Sequence, residues 1–217
     1  LSLISKVVDK AIIDSKVSID KIDAIAVTNG PGLKGALIIG VNFAKGLSLG
    51  LNIPIIPINH MEGHLFSNFI DLDEIKYPFL CMLVSGGHTQ IWLINSYQDY
   101  KLYSTTIDDA AGEAFDKGAR MLGLGYPGGP EIEKMALDGK LGEYSFPIAK
   151  IKNDENNFSF SGVKTSLFYL LKKINSDTLK NDKNHIAASY QESILDALIQ
   201  KLIFISTTSV YGQQDNL

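Results

Sequence analysis

The chain is short of cysteine, arginine and tryptophan, with one of each in 217 residues. A single cysteine, Cys81, excludes a disulfide framework and fits a reducing compartment. It lies in the apolar run from Phe79 to Val84 and reads as a small core residue. No apolar run reaches the ~18 residues of a membrane-spanning helix. No basic-then-apolar segment opens the chain, so the reading is a cytoplasmic protein without a membrane partner. The first residue is Leu1 rather than methionine, which reads as a chain processed, cropped or incomplete at its start. The lone Arg120 beside abundant Lys, Asn and Ile is the bias of an AT-rich coding sequence.

Excess positive charge is also lacking. The net charge is −4, so nothing global points to nucleic acid. Residues 150–183 go against that trend, with seven lysines and four acids. They read as a solvated helix face, with a phosphate-backbone patch as the alternative. What remains is an ordinary globular balance, 45% apolar and 20% charged. That is enough for one large or two small domains.

Residues 1–16 carry Leu1, Ile4, Val8 and Ile12 at helical spacing. Ala24 to Thr28 reads as a strand ending at the turn Asn29-Gly-Pro-Gly32. Gly35 to Leu49 is apolar nearly all round, which predicts a helix buried against a sheet. Pro54 to Ile58 is a second strand and a helix starts at His60. Strand, helix, strand, helix is the order of a parallel sheet with crossovers. Beyond Tyr77 the pattern changes to a hairpin, Phe79 to Ser85 and Gln90 to Asn95 around Gly86-Gly87. Helices are expected over 109–122, 130–137, 161–173 and 185–204, with a polar irregular stretch over 139–157. Residues 206–217 read as an unpacked tail. The lobe boundary falls near residues 71–78.

Gly30, Gly32 and Gly35 make G-x-G-x-x-G between a strand and a helix. A dinucleotide site also needs an acid at the end of the next strand. That strand ends at Ile58-Asn59, and the next acid is Glu62, inside a helix. The pattern therefore reads as a tight turn feeding a helix.

His60-Met-Glu-Gly-His64 places two histidines at i and i+4, one above the other on one helical face, where they can reach one metal ion or stand as ordinary surface or core residues. Asn59 is the expected N-cap, with Glu62 reaching back. Glu62 lies two residues after His60, about 200° round the helix. That is the wrong face for the general base of a zinc peptidase. Two ligands are fewer than the usual three. His88, Asp116 or a residue outside the chain is the candidate third.

Ser85-Gly-Gly-His-Thr89 offers hydroxyls and exposed amides for a phosphate, or is an ordinary hairpin turn. Asp109, Glu113 and Asp116 share one helix face and repel unless a cation or a ribose diol sits opposite. Dipole compensation explains Asp108 and Asp109 but not Asp116. Gly128-Gly129 lets a backbone approach a flat ligand such as adenine. At the start of the helix from Ser161, the residue itself is the expected cap and Lys164 the candidate substrate contact.

Six strings occur in order: Asn29-Gly-Pro-Gly32, His60-Met-Glu-Gly-His64, Leu83-Val-Ser-Gly-Gly-His-Thr-Gln90, Asp108-Asp-Ala-Ala-Gly-Glu-Ala-Phe-Asp-Lys117, Tyr126-Pro-Gly-Gly-Pro130 and Phe158-Ser-Phe-Ser-Gly-Val-Lys-Thr165. Together they resemble the tRNA threonylcarbamoyladenosine synthase family (TsaD), in its bacterial or organellar branch. The resemblance covers residues 1 to about 200.

The resemblance implies an α/β, two-lobed fold of the actin, sugar-kinase and heat-shock-chaperone (ASKHA) type, here incomplete. Residues 1–75 would be the remnant of the first lobe and residues 76–205 the second. It implies transfer of threonylcarbamoyl from threonylcarbamoyl-adenylate to the N6 amine of the adenosine next to the tRNA anticodon. His60 and His64 would hold one divalent metal per subunit, iron or alternatively zinc. Leu83, Val84, Ser85, Gly86, Gly87, Asp116 and Gly129 would hold the adenylate, with Glu133 a further candidate. The partners implied are tRNA, a paralogous TsaB-type subunit and a TsaE-type ATPase.

The family's opening strand and its closing glycine-rich segment, with the aspartate that is the third metal ligand, are not in this sequence. The expectation is a chain truncated at both ends. A non-catalytic remnant and a metal-dependent small-molecule carbamoyltransferase are the alternative functions.

Overall fold

The computed structural model describes residues 2–70, 76–149, 151 and 156–211. Helices and strands are mixed throughout, as an α/β chain requires. The chain divides into two compact units, Leu1–Ile75 and Lys76–Leu217.

In the first unit, helix α1 (Ser2–Ser15) precedes strand β1 (Ile25–Gly30), helix α2 (Lys34–Leu51), strand β2 (Ile55–Asn59) and helix α3 (His60–Phe66). Strands β1 and β2 pair in parallel, Ile25 opposite Ile55 and Thr28 opposite Ile58, with a register shift before Gly30. This is the arrangement that the strand–helix–strand order requires, because parallel neighbours need a crossover between them. Helix α2 packs on both strands. Its expected burial is not observed: Ala44 alone of its residues is buried, while Ile38 is 60% and Leu49 83% exposed. A two-stranded sheet is too narrow to cover a helix that is apolar on every side.

In the second unit, strands β3 (Phe79–Val84), β4 (Thr89–Ser96) and β5 (Asp99–Thr105) form an antiparallel sheet in that order. Helices α4 (Ala111–Met121), α5 (Gly128–Ala136), α6 (Ser161–Lys173) and α7 (Ser176–Tyr211) follow. The core gathers Ile91 from β4, Ile132 from α5, Phe160, Leu167 from α6, and Ile186, Tyr190 and Ile194 from α7. Ring edges meet ring faces where Phe146 packs on Tyr190, centroids 5.6 Å apart. The Tyr190 hydroxyl donates to the Ala114 carbonyl at 2.9 Å, tying α7 to α4.

Two expectations are corrected here. Strand β5 was not foreseen, because Asp99 to Thr105 carries Asp, Lys, Ser and Thr among its apolar residues and its pairing with β4 is broken by register shifts. Residues 206–211, expected as unpacked tail, continue α7 to Tyr211. Propagating an established helix needs only one further hydrogen bond per residue fixed, so weak helix formers extend it. Residues 212–217 lie outside the described residues.

Candidate functional site

The histidine pair sits on α3 in the first unit. The Asn59 side chain caps this helix by accepting from the Met61 amide at 2.8 Å. Met61 and Leu65, each about 100° round the helix from the histidine before it, are buried at 6% and 1% exposure. That leaves His60 half-buried and His64 exposed. Their Nε2 atoms stand 3.2 Å apart with ring centroids at 4.4 Å. Two imidazoles bound tetrahedrally at ordinary metal–nitrogen lengths place their nitrogens about 3.3 Å apart. The separation of the pair matches that of two ligands of one ion, and it is equally the length of a hydrogen bond between the two rings. Among the described residues no group of three His, Cys, Asp or Glu is gathered for a metal ion.

The glycine turn lies between β3 and β4 in the second unit. Leu83 is buried, Val84 ends β3 and is 47% exposed, and Gly86 and Gly87 are open to solvent. The Ser85 amide donates to the His88 carbonyl at 2.8 Å, and the His88 amide donates to Ser85 Oγ at 3.1 Å. Both internal bonds run across the turn and hold Gly86 and Gly87 at its tip.

The first turn of α4 packs beneath it. A Cβ on Gly112 would come within 2.5 Å of the Ser85 carbonyl oxygen and 2.7 Å of Gly86 Cα, so only glycine fits. One turn later, Asp116 Oδ1 accepts the Gly128 amide at 2.7 Å, which ties α4 to the start of α5. Gly128 is equally constrained, its Cβ position lying 2.5 Å from Asp116 Cα. Gly129 faces open space, with nothing within 4 Å of where its Cβ would be. Glu133 is exposed on the next turn of α5. The structure thus brings Ser85, Gly86, Asp116 and Gly129 onto a contiguous framework of turn, α4 and α5.

The acids around the start of α4 are a different matter, because the helix expected from residue 109 begins at Ala111 and leaves Asp109 in the connection before it. Asp109 meets two cations, Lys117 at 2.6 Å and Lys164 at 2.7 Å, and Lys117 also meets Glu113 at 2.7 Å. These lysines, rather than a ribose, are the positive partners that Asp109 and Glu113 require, and Lys164 is turned inward to Asp109. Burial raises the Asp109 carboxyl, but the hydrogen bonds and charges of Lys117 and Lys164 outweigh it and leave it below the ordinary 3.8.

The expected capping of α6 by Ser161 is also corrected. The N-cap residue is Phe160, whose side chain makes no cap, and Asp108 supplies the acceptors instead. It accepts from the Phe160 and Ser161 amides at 2.8 and 3.2 Å, and from the Ser159 and Ser161 hydroxyls at 2.5 and 2.8 Å. Sequence reasoning missed Asp108 because the bond spans 52 residues.

Fold and site define an α/β chain carrying a solvent-facing imidazole pair on one unit and a glycine turn seated on a helix start on the other. The family model for TsaD, tRNA N6-adenosine threonylcarbamoyltransferase, matches residues 1–211. The chain belongs to that family. A protein of that name from Thermosipho africanus is 47% identical over 201 residues, 93% of this chain and 60% of its own length. Counterparts from Clostridium botulinum strain Hall and Clostridium beijerinckii are 45% and 47% identical, over 94% and 91% of this chain and 60% and 58% of theirs. The chain spans about 60% of the length of these relatives. No described helix is long and apolar enough to cross a membrane.

Proposed function

We propose that the chain serves the transfer of threonylcarbamoyl from threonylcarbamoyl-AMP to the N6 amine of the adenosine beside the tRNA anticodon. The observation that carries this reading is the His60–His64 pair, its Nε2 atoms already at the separation of two ligands of one ion. Family membership supplies the reaction, since relatives sharing about 45% identity bear that name.

In this reading the two units are lobes of the ASKHA type. Residues 1–75 belong to the first and residues 76–205 to the second. The attacking N6 nitrogen forms a bond to the carbamoyl carbonyl carbon, the mixed-anhydride C–O bond breaks, and AMP departs with that electron pair while the amine proton passes to solvent. The exposed amides of Gly86 and Gly87 bind the phosphate. Leu83, Val84 and Ser85 set the strand end and turn that present those amides. Asp116 commits Oδ1 to the Gly128 amide and offers Oδ2 to a ribose hydroxyl. The open side of Gly129 admits the flat adenine edge, with Glu133 at its margin. His60 and His64 hold one divalent ion, iron or zinc, and Lewis-acid polarisation of a carbonyl is the chemistry that such an ion supplies when bound. A TsaB-type subunit, a TsaE-type ATPase and tRNA are the partners, in the cytoplasm.

The test is metal content of the purified chain beside His60→Ala and His64→Ala, followed by nucleoside analysis of tRNA incubated with threonylcarbamoyl-AMP and the same proteins. One ion per chain, lost in both variants, with modified adenosine formed only by the wild type, is expected. A folded wild type that takes up no metal removes the catalytic reading and leaves a binding role. Transfer of carbamoyl to a small acceptor without tRNA would favour the small-molecule carbamoyltransferase instead.

A further inference from the structure

The glycine turn is held from below by Thr89, whose hydroxyl the sequence offered to a phosphate and the structure commits inward instead. Thr89, the first residue of β4, is fully buried, at 0% exposure. Its Oγ1 accepts the amide of Ala111, the first residue of α4, at 2.8 Å. Its carbonyl accepts the Thr106 amide at 2.9 Å. Thr89 therefore grips both ends of the 106–111 connection, one through its side chain and one through its backbone. Ala111 is buried as well, so its amide has no access to water as a substitute partner. The contact of Gly112 with Ser85 and Gly86 converts that grip into a position for the turn.

We infer that Thr89 is a positioning residue, which through the Ala111 amide seats α4 under the 85–88 turn and sets the spacing between the turn amides and the Asp116 carboxylate. The inference rests on the reading of that turn as the phosphate-binding element. The chemistry served is recognition of a nucleoside monophosphate, because a phosphate on the turn and a ribose at Asp116 are bound together only if α4 stays in register with β4. Thr89→Val keeps the shape but removes the acceptor, and Thr89→Ser keeps the acceptor.

The test has two arms on the 217-residue chain. In amide hydrogen exchange, Thr89→Val is expected to speed exchange at Ala111 and at Ser85 to His88 by about tenfold, the rest of the second unit holding its protection, and Thr89→Ser to restore it. In calorimetry with AMP as the probe, Thr89→Val is expected to bind about tenfold more weakly and Thr89→Ser as the wild type does. Gly112→Ala pushes the turn away with the Thr89 bond intact. It is expected to loosen exchange at the turn and weaken AMP while Ala111 stays protected; should Thr89→Val fail to fold, Thr89→Ala takes its place with the same local rise in exchange expected.

Unchanged turn exchange in the folded variants overturns the inference. So does a rise spread evenly over the unit, which would make Thr89 an ordinary core residue. A wild type that binds no AMP defeats the nucleotide reading alone, since the exchange arm still decides whether Thr89 positions the turn.

Discussion

The Asp108 carboxylate accepts the Phe160 amide at 2.8 Å across 52 positions of sequence. Three further bonds, from Ser159 and both donors of Ser161, complete the latch. Helix α6 is thereby capped by the loop that leads into α4, so the two helix starts are fixed to one another by a single side chain.

Acid should release that latch. Burial raises the Asp108 carboxyl, but the bonds from Ser159, Phe160 and Ser161 together outweigh it and leave it below the ordinary 3.8. A carboxyl lowered in the folded state stabilises above its unfolded pKa and loses that contribution as pH falls below it. Urea unfolding is therefore expected to show stability falling as pH drops from about 4 toward the lowered folded value, with a flatter limb in Asp108→Ala. At neutral pH that variant should be less stable by about 1–3 kcal/mol, since three charge-assisted bonds and a buried amide lose their acceptor.

Gly128→Ala addresses the seam between α4 and α5. The added methyl would lie 2.5 Å from Asp116 Cα and 2.6 Å from the Phe115 carbonyl oxygen, both backbone atoms that cannot swing aside. The helices must separate, at a cost of about 1–3 kcal/mol. The Asp116–Gly128 bond lengthens with them. Thermal unfolding measures the first effect and AMP affinity the second. Gly129→Ala, which meets open space, should unfold as the wild type does.

At the alkaline end the sensitive group is Tyr190. Burial first, and then the Asp109 charge, raise its phenol above the ordinary 10.0. A group raised in the folded state gives stability below its unfolded pKa that is lost as pH rises toward the folded one. Stability of the second unit is expected to decline above about pH 10. Tyr144, pushed up to about 12 chiefly by its hydrogen bond to Asp182, adds to the same decline. Tyr190→Phe should cost about 0.5–1.5 kcal/mol at pH 7 through the lost bond to Ala114 and should flatten that limb, as followed by chemical denaturation.

Local sequence was most legible where one periodic pattern had one outcome. Helix α6 was expected over 161–173 and spans Ser161–Lys173. The parallel pairing of β1 with β2 was legible because apolar strands separated by a helix have few other arrangements. The i, i+4 spacing of His60 and His64 prescribed the convergence that the 3.2 Å approach displays. Strand β5 was hidden because its apolar residues do not alternate cleanly and partners of Ser104 and Thr105 come from Asn156 and Asn157, 52 residues away.

The partners of the acids around the start of α4 were beyond the sequence. Spacing put Asp109, Glu113 and Asp116 on one helix face in need of something opposite, whereas α4 begins at Ala111 and Asp109 precedes it. Spacing did not show that Lys164, 55 residues away, answers Asp109 while the Gly128 amide answers Asp116. Capping of α6 by Asp108 and seating of α4 by Thr89 are of the same kind.

The sequence by itself determined most of the elements, though not β5, together with the histidine face and the glycine turn, because those follow from backbone geometry acting over a few residues. Only the tertiary structure decided which acid is a ligand candidate and which is a clamp. A carboxylate's role depends on the donor it meets, and that donor is brought by chain folding from another element.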